Sequence, residues 1–123
     1  VQIIRDGLCV LVHCKGIFSA WKQATLGETK NVGGENERKN INIAERICAE
    51  LDRLRPKKTG LYKDQITFVT DRPGHDFRYA IDADKIETEL GWRAEETFET
   101  GIIKTIEWYL EHPERLGLTG RDK

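Results

Sequence analysis

The chain has 123 residues, one domain's worth, and its 20 Lys+Arg against 21 Asp+Glu give a formal net charge of −1. That balance argues against a general nucleic-acid binder, and no apolar run has the length of a membrane span or the form of a signal peptide. The three cysteines, Cys9, Cys14 and Cys48, are odd in number and lack CxxC spacing, so neither a disulfide framework nor a zinc site is expected and a reducing, cytoplasmic setting is. The sequence opens on Val1 and contains no Met, which reads as a piece of something longer.

Residues 2–12 are apolar and β-branched around Arg5-Asp6 and predict a short strand or two with a polar interruption. From His13 the period changes: Ile17, Phe18, Trp21 and Ala24 fall on one helical face, with Gly27 as the stop. The start of that helix is poorly marked, because Leu11 and Val12 stand where a capping residue belongs. Thr29 to Val32 predicts a brief strand ended by Gly33-Gly34, and Glu35 to Lys39 a charged loop. Asn42, with Glu45 three residues on, makes a capping box for a helix whose stripe is Ile43, Ile47, Leu51 and Leu54 and which Pro56 ends. Gln65 to Thr70 and Phe77 to Ile81 alternate as two strands around Asp71-Arg72-Pro73-Gly74-His75-Asp76. Asp82 caps a helix over Ala83 to Leu90 that Gly91 stops. Thr97 caps the last helix, with Ile102, Ile106, Tyr109 and Leu110 inward and an end near Pro113.

The loop at 71–76 concentrates the chemistry. A guanidinium and an imidazole three residues apart on a short loop, anchored at both ends, suit an anion such as a phosphate or diphosphate. An ordinary charged turn, with Arg72 paired to Asp71 or Asp76, explains the same residues. Arg5 stands alone in an apolar strand and needs a partner, either Asp6 or a bound anion. Asn40, beside a helix start where amide N–H groups are free, reads as a loop-shaping residue or an anion contact. Other chemistry is not signalled. No GxGxxG follows a strand, none of Tyr62, Tyr79 or Tyr109 has Lys four residues later, and His13, His75 and His112 are too dispersed for a metal.

Several stretches together carry a family likeness: Asn31-Val32-Gly33-Gly34, Asn36-Glu37-Arg38-Lys39-Asn40-Ile41, the 71–76 loop, Tyr79-Ala80-Ile81-Asp82, Glu89-Leu90-Gly91-Trp92, Thr97-Phe98-Glu99-Thr100-Gly101 and Glu107-Trp108-Tyr109-Leu110. The set resembles the C-terminal part of the dTDP-glucose 4,6-dehydratases, within the extended short-chain dehydrogenase/reductase family, from about Gln2 to Leu110. The resemblance implies that Arg5, Asn40, Arg72 and His75 contact the diphosphate of a dTDP-sugar, dTDP-glucose in the parent reaction. That reaction uses NAD to oxidise C4 of the sugar, eliminates water across C5 and C6, and returns the hydride to C6. The cofactor fingerprint, the Tyr–Lys couple and the acid/base carboxylates lie upstream in such enzymes, in a Rossmann half that this sequence lacks. It therefore implies no catalytic, cofactor-binding or metal-ligating residue here, NAD only in the full-length enzyme, and a chain inactive alone. Departures cluster early: Gly7, Cys9 and Lys30 stand where relatives carry aromatics, and Leu11-Val12 where they carry an acidic pair.

The expected fold is a small mixed α/β or α+β domain of about four helices and short strands. It spans residues 1–113 as the nucleotide-sugar-binding part without the Rossmann half, followed by a polar tail over 114–123. The alternatives are a free-standing, non-catalytic nucleotide-sugar-binding homologue, or a piece of another nucleotide-sugar dehydratase or epimerase.

Overall fold

A computed structural model describes residues 3–116. Strand β1 (Ile4–Asp6) leads to helix α1 (Val10–Gln23), strand β2 (Glu37–Lys39), helix α2 (Asn40–Leu54), helix α3 (Asp84–Leu90) and helix α4 (Phe98–Glu111). Two 3₁₀ turns, Tyr62–Gln65 and Pro113–Leu116, complete the described elements. The expected small mixed domain of four helices and short strands is what forms. The expected tail begins within the second 3₁₀ turn, and its residues 117–123 lie outside the described part.

β1 and β2 pair antiparallel with Ile4 opposite Lys39, Arg5 opposite Arg38 and Asp6 opposite Glu37. On β1's other side the chain at 77–79 adds one parallel bridge, with the Ile4 N–H donating to Phe77 O at 2.9 Å and the Tyr79 N–H to Ile4 O at 3.2 Å. α2 packs on the first 3₁₀ turn and on α4, and α1 on α3. The core is thin: among the described residues only Val12, Ala83, Ile86 and Ile106 are buried hydrophobics.

Two expected helix ends hold: Gly91 closes α3 in the left-handed conformation, and Thr97 Oγ1 accepts the Thr100 N–H at 3.3 Å. The start of α3 falls one residue later than expected, at Asp84 with Ala83 as its N-cap, although Asp82 Oδ1 still accepts the Asp84 N–H at 2.9 Å. α2, however, begins at Asn40 rather than Asn42, with Lys39 ahead of it, because β2 feeds straight into the helix. α1 begins at Val10, earlier than expected, with no side-chain cap on it, and stops at Gln23 short of Gly27. Its buried side is Val12 and Gly16, while Ile17, Phe18 and Trp21 are exposed. The bare Gly16 position lets Val32 and Trp92 pack against the helix backbone there, which turns the larger apolar residues outward.

The strand expectations fare worse. Residues 29–32 and 66–70 belong to no strand, and 77–81 contributes a single bridge. Alternation makes a strand only where a neighbouring strand extends the ladder: 29–32 and 66–70 have no strand partner among the described residues, and 77–81 meets the three-residue β1 only around Ile4. Conversely, the charged stretch expected as loop includes β2, since Ile4–Asp6 offers it a ladder. Arg38 of β2 covers the Phe98 ring, its Cζ 4.4 Å from the centroid, so a strand of charged residues still buries apolar surface.

Candidate functional site

The two residues of β1's IRD stretch that carry charge are used separately. Asp6 accepts the backbone N–H groups of Gly34 and Asn36, each at 2.8 Å, and so shapes the Gly33-Gly34 turn. That turn is close-packed: a Cβ on Gly33 would meet Ile81 Cγ2 at 2.8 Å, and one on Gly34 the Gly7 carbonyl oxygen at 3.0 Å. Arg5 is thus not paired with Asp6. Its Nη1 donates to Ile4 O at 2.7 Å, and its Nη2 to His75 Nε2 at 2.9 Å and Asp76 O at 3.1 Å. The Tyr79 ring lies against the guanidinium, with 4.3 Å from Cζ to the centroid. The bridge from β1 to residue 78 is what brings these segments together.

Within the 71–76 loop, Asp71 Oδ1 accepts both the Arg72 N–H at 2.8 Å and the His75 Nδ1 hydrogen at 2.7 Å. Gly74 sits at φ 69°, where a side chain would be strained, and this lets the chain return His75 towards Asp71. The ring hydrogen bond, with the Arg72 amide behind it, holds the Asp71 carboxyl below the ordinary carboxylate range. The Tyr79 hydroxyl donates to Asp76, whose hydrogen bond and charge push the phenol up while the Arg5 and Arg72 cations pull it down. Both guanidinium groups therefore act on the same patch of surface. With Asp71 turned to His75 and Asp76 to Tyr79, the Arg72 guanidinium is exposed and makes no side-chain hydrogen bond or ion pair among the described residues. The simple charged turn is not what the chain builds.

Asn40 opens α2, its N–H donating to Ile3 O at 2.8 Å, and its exposed side chain makes no hydrogen bond among the described residues. The structure thus joins Arg5 to His75 directly, places Arg72 three residues away on the same loop, and sets Asn40 at the exit of the adjacent strand without contact to them. Among the described residues, what is free for chemistry is the Arg72 guanidinium, a donor with a permanent charge, and the Asn40 side-chain amide, which can donate and accept. Sequence reasoning missed Asp71 and Tyr79 as parts of the cluster. The only local signal was an acid four residues before the histidine across a Pro-Gly turn.

Two hollows lie away from the 71–76 loop. One of about 640 Å³ is lined by His13, Ile17, Lys30, Asn31 and Asp82 among others, and one of about 690 Å³ runs between α2 and residues 61–68. The Lys30 side chain is buried there and forms an ion pair with Glu89 of α3. Among the described residues, no group of His, Cys, Asp or Glu is arranged to hold a metal, and no helix is long and apolar enough to cross a membrane.

The profile of the family described as GDP-mannose 4,6 dehydratase matches residues 1–105. The dTDP-glucose 4,6-dehydratase of Shigella flexneri is 55% identical over 107 residues, 87% of this chain but 29% of the relative. Among solved structures, the dTDP-glucose 4,6-dehydratase of Bacillus anthracis in complex with NAD superposes with a TM-score of 0.78 at 39% identity, covering 92% of this chain and 33% of that one. That of Streptomyces venezuelae with NAD and TYD bound gives a TM-score of 0.77 at 32% identity, covering 93% and 33%. This chain therefore spans about a third of the length of each of these solved relatives.

Proposed function

We propose, because this chain belongs to the GDP-mannose 4,6-dehydratase family, that it is the C-terminal, nucleotide-sugar-binding part of a cytoplasmic dTDP-glucose 4,6-dehydratase. Its Arg5, Asn40, Arg72 and His75 line the site for the diphosphate of a dTDP-sugar, within a domain over residues 1–113. The observation that carries this reading is the Arg5–His75 contact beside an Arg72 guanidinium that has no side-chain partner among the described residues. A guanidinium left free on an anchored loop is what a diphosphate would satisfy. Arg72, with a planar fork and a permanent charge, contributes most.

The described residues do not fit a dinucleotide. Their sheet has two antiparallel strands of three residues each, with no glycine-rich strand-to-helix turn to cradle a pyrophosphate. NAD and the acid and base of the reaction belong to a Rossmann half, and no step of that chemistry is assigned to this chain. The outward apolar stripe of α1, with Ile17, Phe18 and Trp21, and the exposed Phe68 and Val69 support a further domain packing here.

Titration calorimetry with thymidine diphosphate tests the binding. Arg72→Ala is expected to weaken it by about tenfold, the loss of one charge-assisted hydrogen bond or more. Equal affinity for the two proteins would refute the assignment of Arg72.

A further inference from the structure

The hydrogen bonds around His75 determine where its proton sits. A guanidinium has donors and no acceptor, so His75 Nε2, 2.9 Å from Arg5 Nη2, is the acceptor in that contact. The ring hydrogen is then on Nδ1, which faces Asp71 Oδ1 at 2.7 Å. Imidazole in water prefers the opposite tautomer, with the hydrogen on Nε2, so something must hold this one. Asp71 is the group in place to do so. Its carboxyl is kept ionised by this same contact, and its Oδ1 is fixed by the Arg72 amide at 2.8 Å.

We propose that Asp71 is a positioning residue: it fixes His75 in the Nδ1–H tautomer, and the lone pair left on Nε2 holds the Arg5 guanidinium against the 71–76 loop. Arg5 and Arg72 then present their charge together, and His75 serves the site by orienting Arg5 rather than as a cation of its own. Asp76 completes the arrangement from the far side, its carbonyl accepting from Arg5 and its carboxylate from Tyr79. The consequence for affinity rests on the diphosphate reading above, whereas the tautomer is a property of the chain itself.

Positioning and simple electrostatics predict opposite signs. Asp71 is an anion beside a proposed anion site, so by Coulomb attraction alone its removal would tighten diphosphate binding. If it positions His75 and Arg5, removal weakens binding.

The test uses the 123-residue chain labelled with ¹⁵N, with long-range proton–nitrogen spectra of the imidazoles at mildly alkaline pH. In the wild type, Nδ1 of His75 is expected to carry the hydrogen and Nε2 the lone pair. Asp71→Ala is expected to shift the ring to the Nε2–H form, while Asp71→Asn, whose amide oxygen can still accept, retains Nδ1–H. Thymidine diphosphate should bind Asp71→Ala about fivefold more weakly, the value of one hydrogen bond, and Asp71→Asn should recover most of that loss. An Nε2–H ring in the wild type, an Nδ1–H ring that survives in Asp71→Ala, or equal or tighter binding by Asp71→Ala would overturn the proposal. If the wild type shows the expected tautomer and its loss in Asp71→Ala but binds no thymidine diphosphate, the diphosphate reading fails and the positioning assignment stands.

Discussion

Arg5 shows how far residue-scale reasoning reaches. That a charge within an apolar strand needs a partner is legible from the sequence. Its partners are not, because His75, Asp76 and Tyr79 lie some 70 positions away and nothing in local spacing pairs them with Arg5. The obvious neighbour, Asp6, is claimed by two backbone amides of the Gly33-Gly34 turn. The same limit explains why Asp71 read as a mate for Arg72: the sequence does not show which of two donors a carboxylate will face. The Asp71–His75 contact carries a prediction about pH. The folded carboxyl is lowered from its ordinary value of 3.8, first by the His75 hydrogen bond. A lowered folded value means that the contact's stabilisation is fully present above pH 3.8 and is lost as pH falls through the folded value. Urea denaturation of wild type and Asp71→Ala should therefore show a stability difference near neutral pH that closes in acid. A difference that persists unchanged below the folded value would show that the carboxylate charge is not its source. The effect is small because the pair is partly solvated.

At the scale of elements, helices were legible and strands were not. Helix ends carry their own chemistry: Asp82, Gly91 and Thr97 each act within a few residues of themselves, so their roles follow from spacing. Strands depend on a partner elsewhere in the chain. Residues 66–70 have the right alternation and no ladder, while Glu37–Lys39 has no alternation and pairs with β1. The apolar face of α1 was read from its period alone, and the outcome was decided by a glycine at position 16 that admits Trp92 and Val32. The double glycine ahead of β2 looks in sequence like a strand stop, but its role is close approach. A Cβ on Gly34 would lie 3.0 Å from the Gly7 carbonyl oxygen and 3.1 Å from Leu8 Cδ1. Since a backbone atom cannot rotate away, Gly34→Ala is expected to destabilise the domain by about 1–3 kcal/mol. Chemical denaturation measures this directly, and a variant as stable as the parent would mean that the turn has slack.

For the whole molecule, the balance of buried and exposed apolar surface matters most. Among the described residues, four buried hydrophobics stand against an exterior that includes Trp21 at 77%, Phe68 at 85% and Val69 at 86% exposed. Large apolar side chains exposed to this degree are commonly covered by a partner. The isolated chain is accordingly expected to self-associate at micromolar concentration, which sedimentation velocity would reveal as a population larger than the monomer. A single monomeric species up to high concentration would count against a missing packing partner. The same exposed construction leaves the candidate site open on one side, so diphosphate binding by the chain alone should be weak. The arrangement of Arg5, Asn40, Arg72 and His75 as one diphosphate site is the central claim. Its most direct test is a crystal structure of the chain with thymidine diphosphate. The account predicts phosphate oxygens within hydrogen-bonding distance of Arg5, Arg72 and Asn40, with His75 still facing Asp71. A diphosphate seated instead in the hollow lined by His13 and Lys30, with the 71–76 loop untouched, would contradict it.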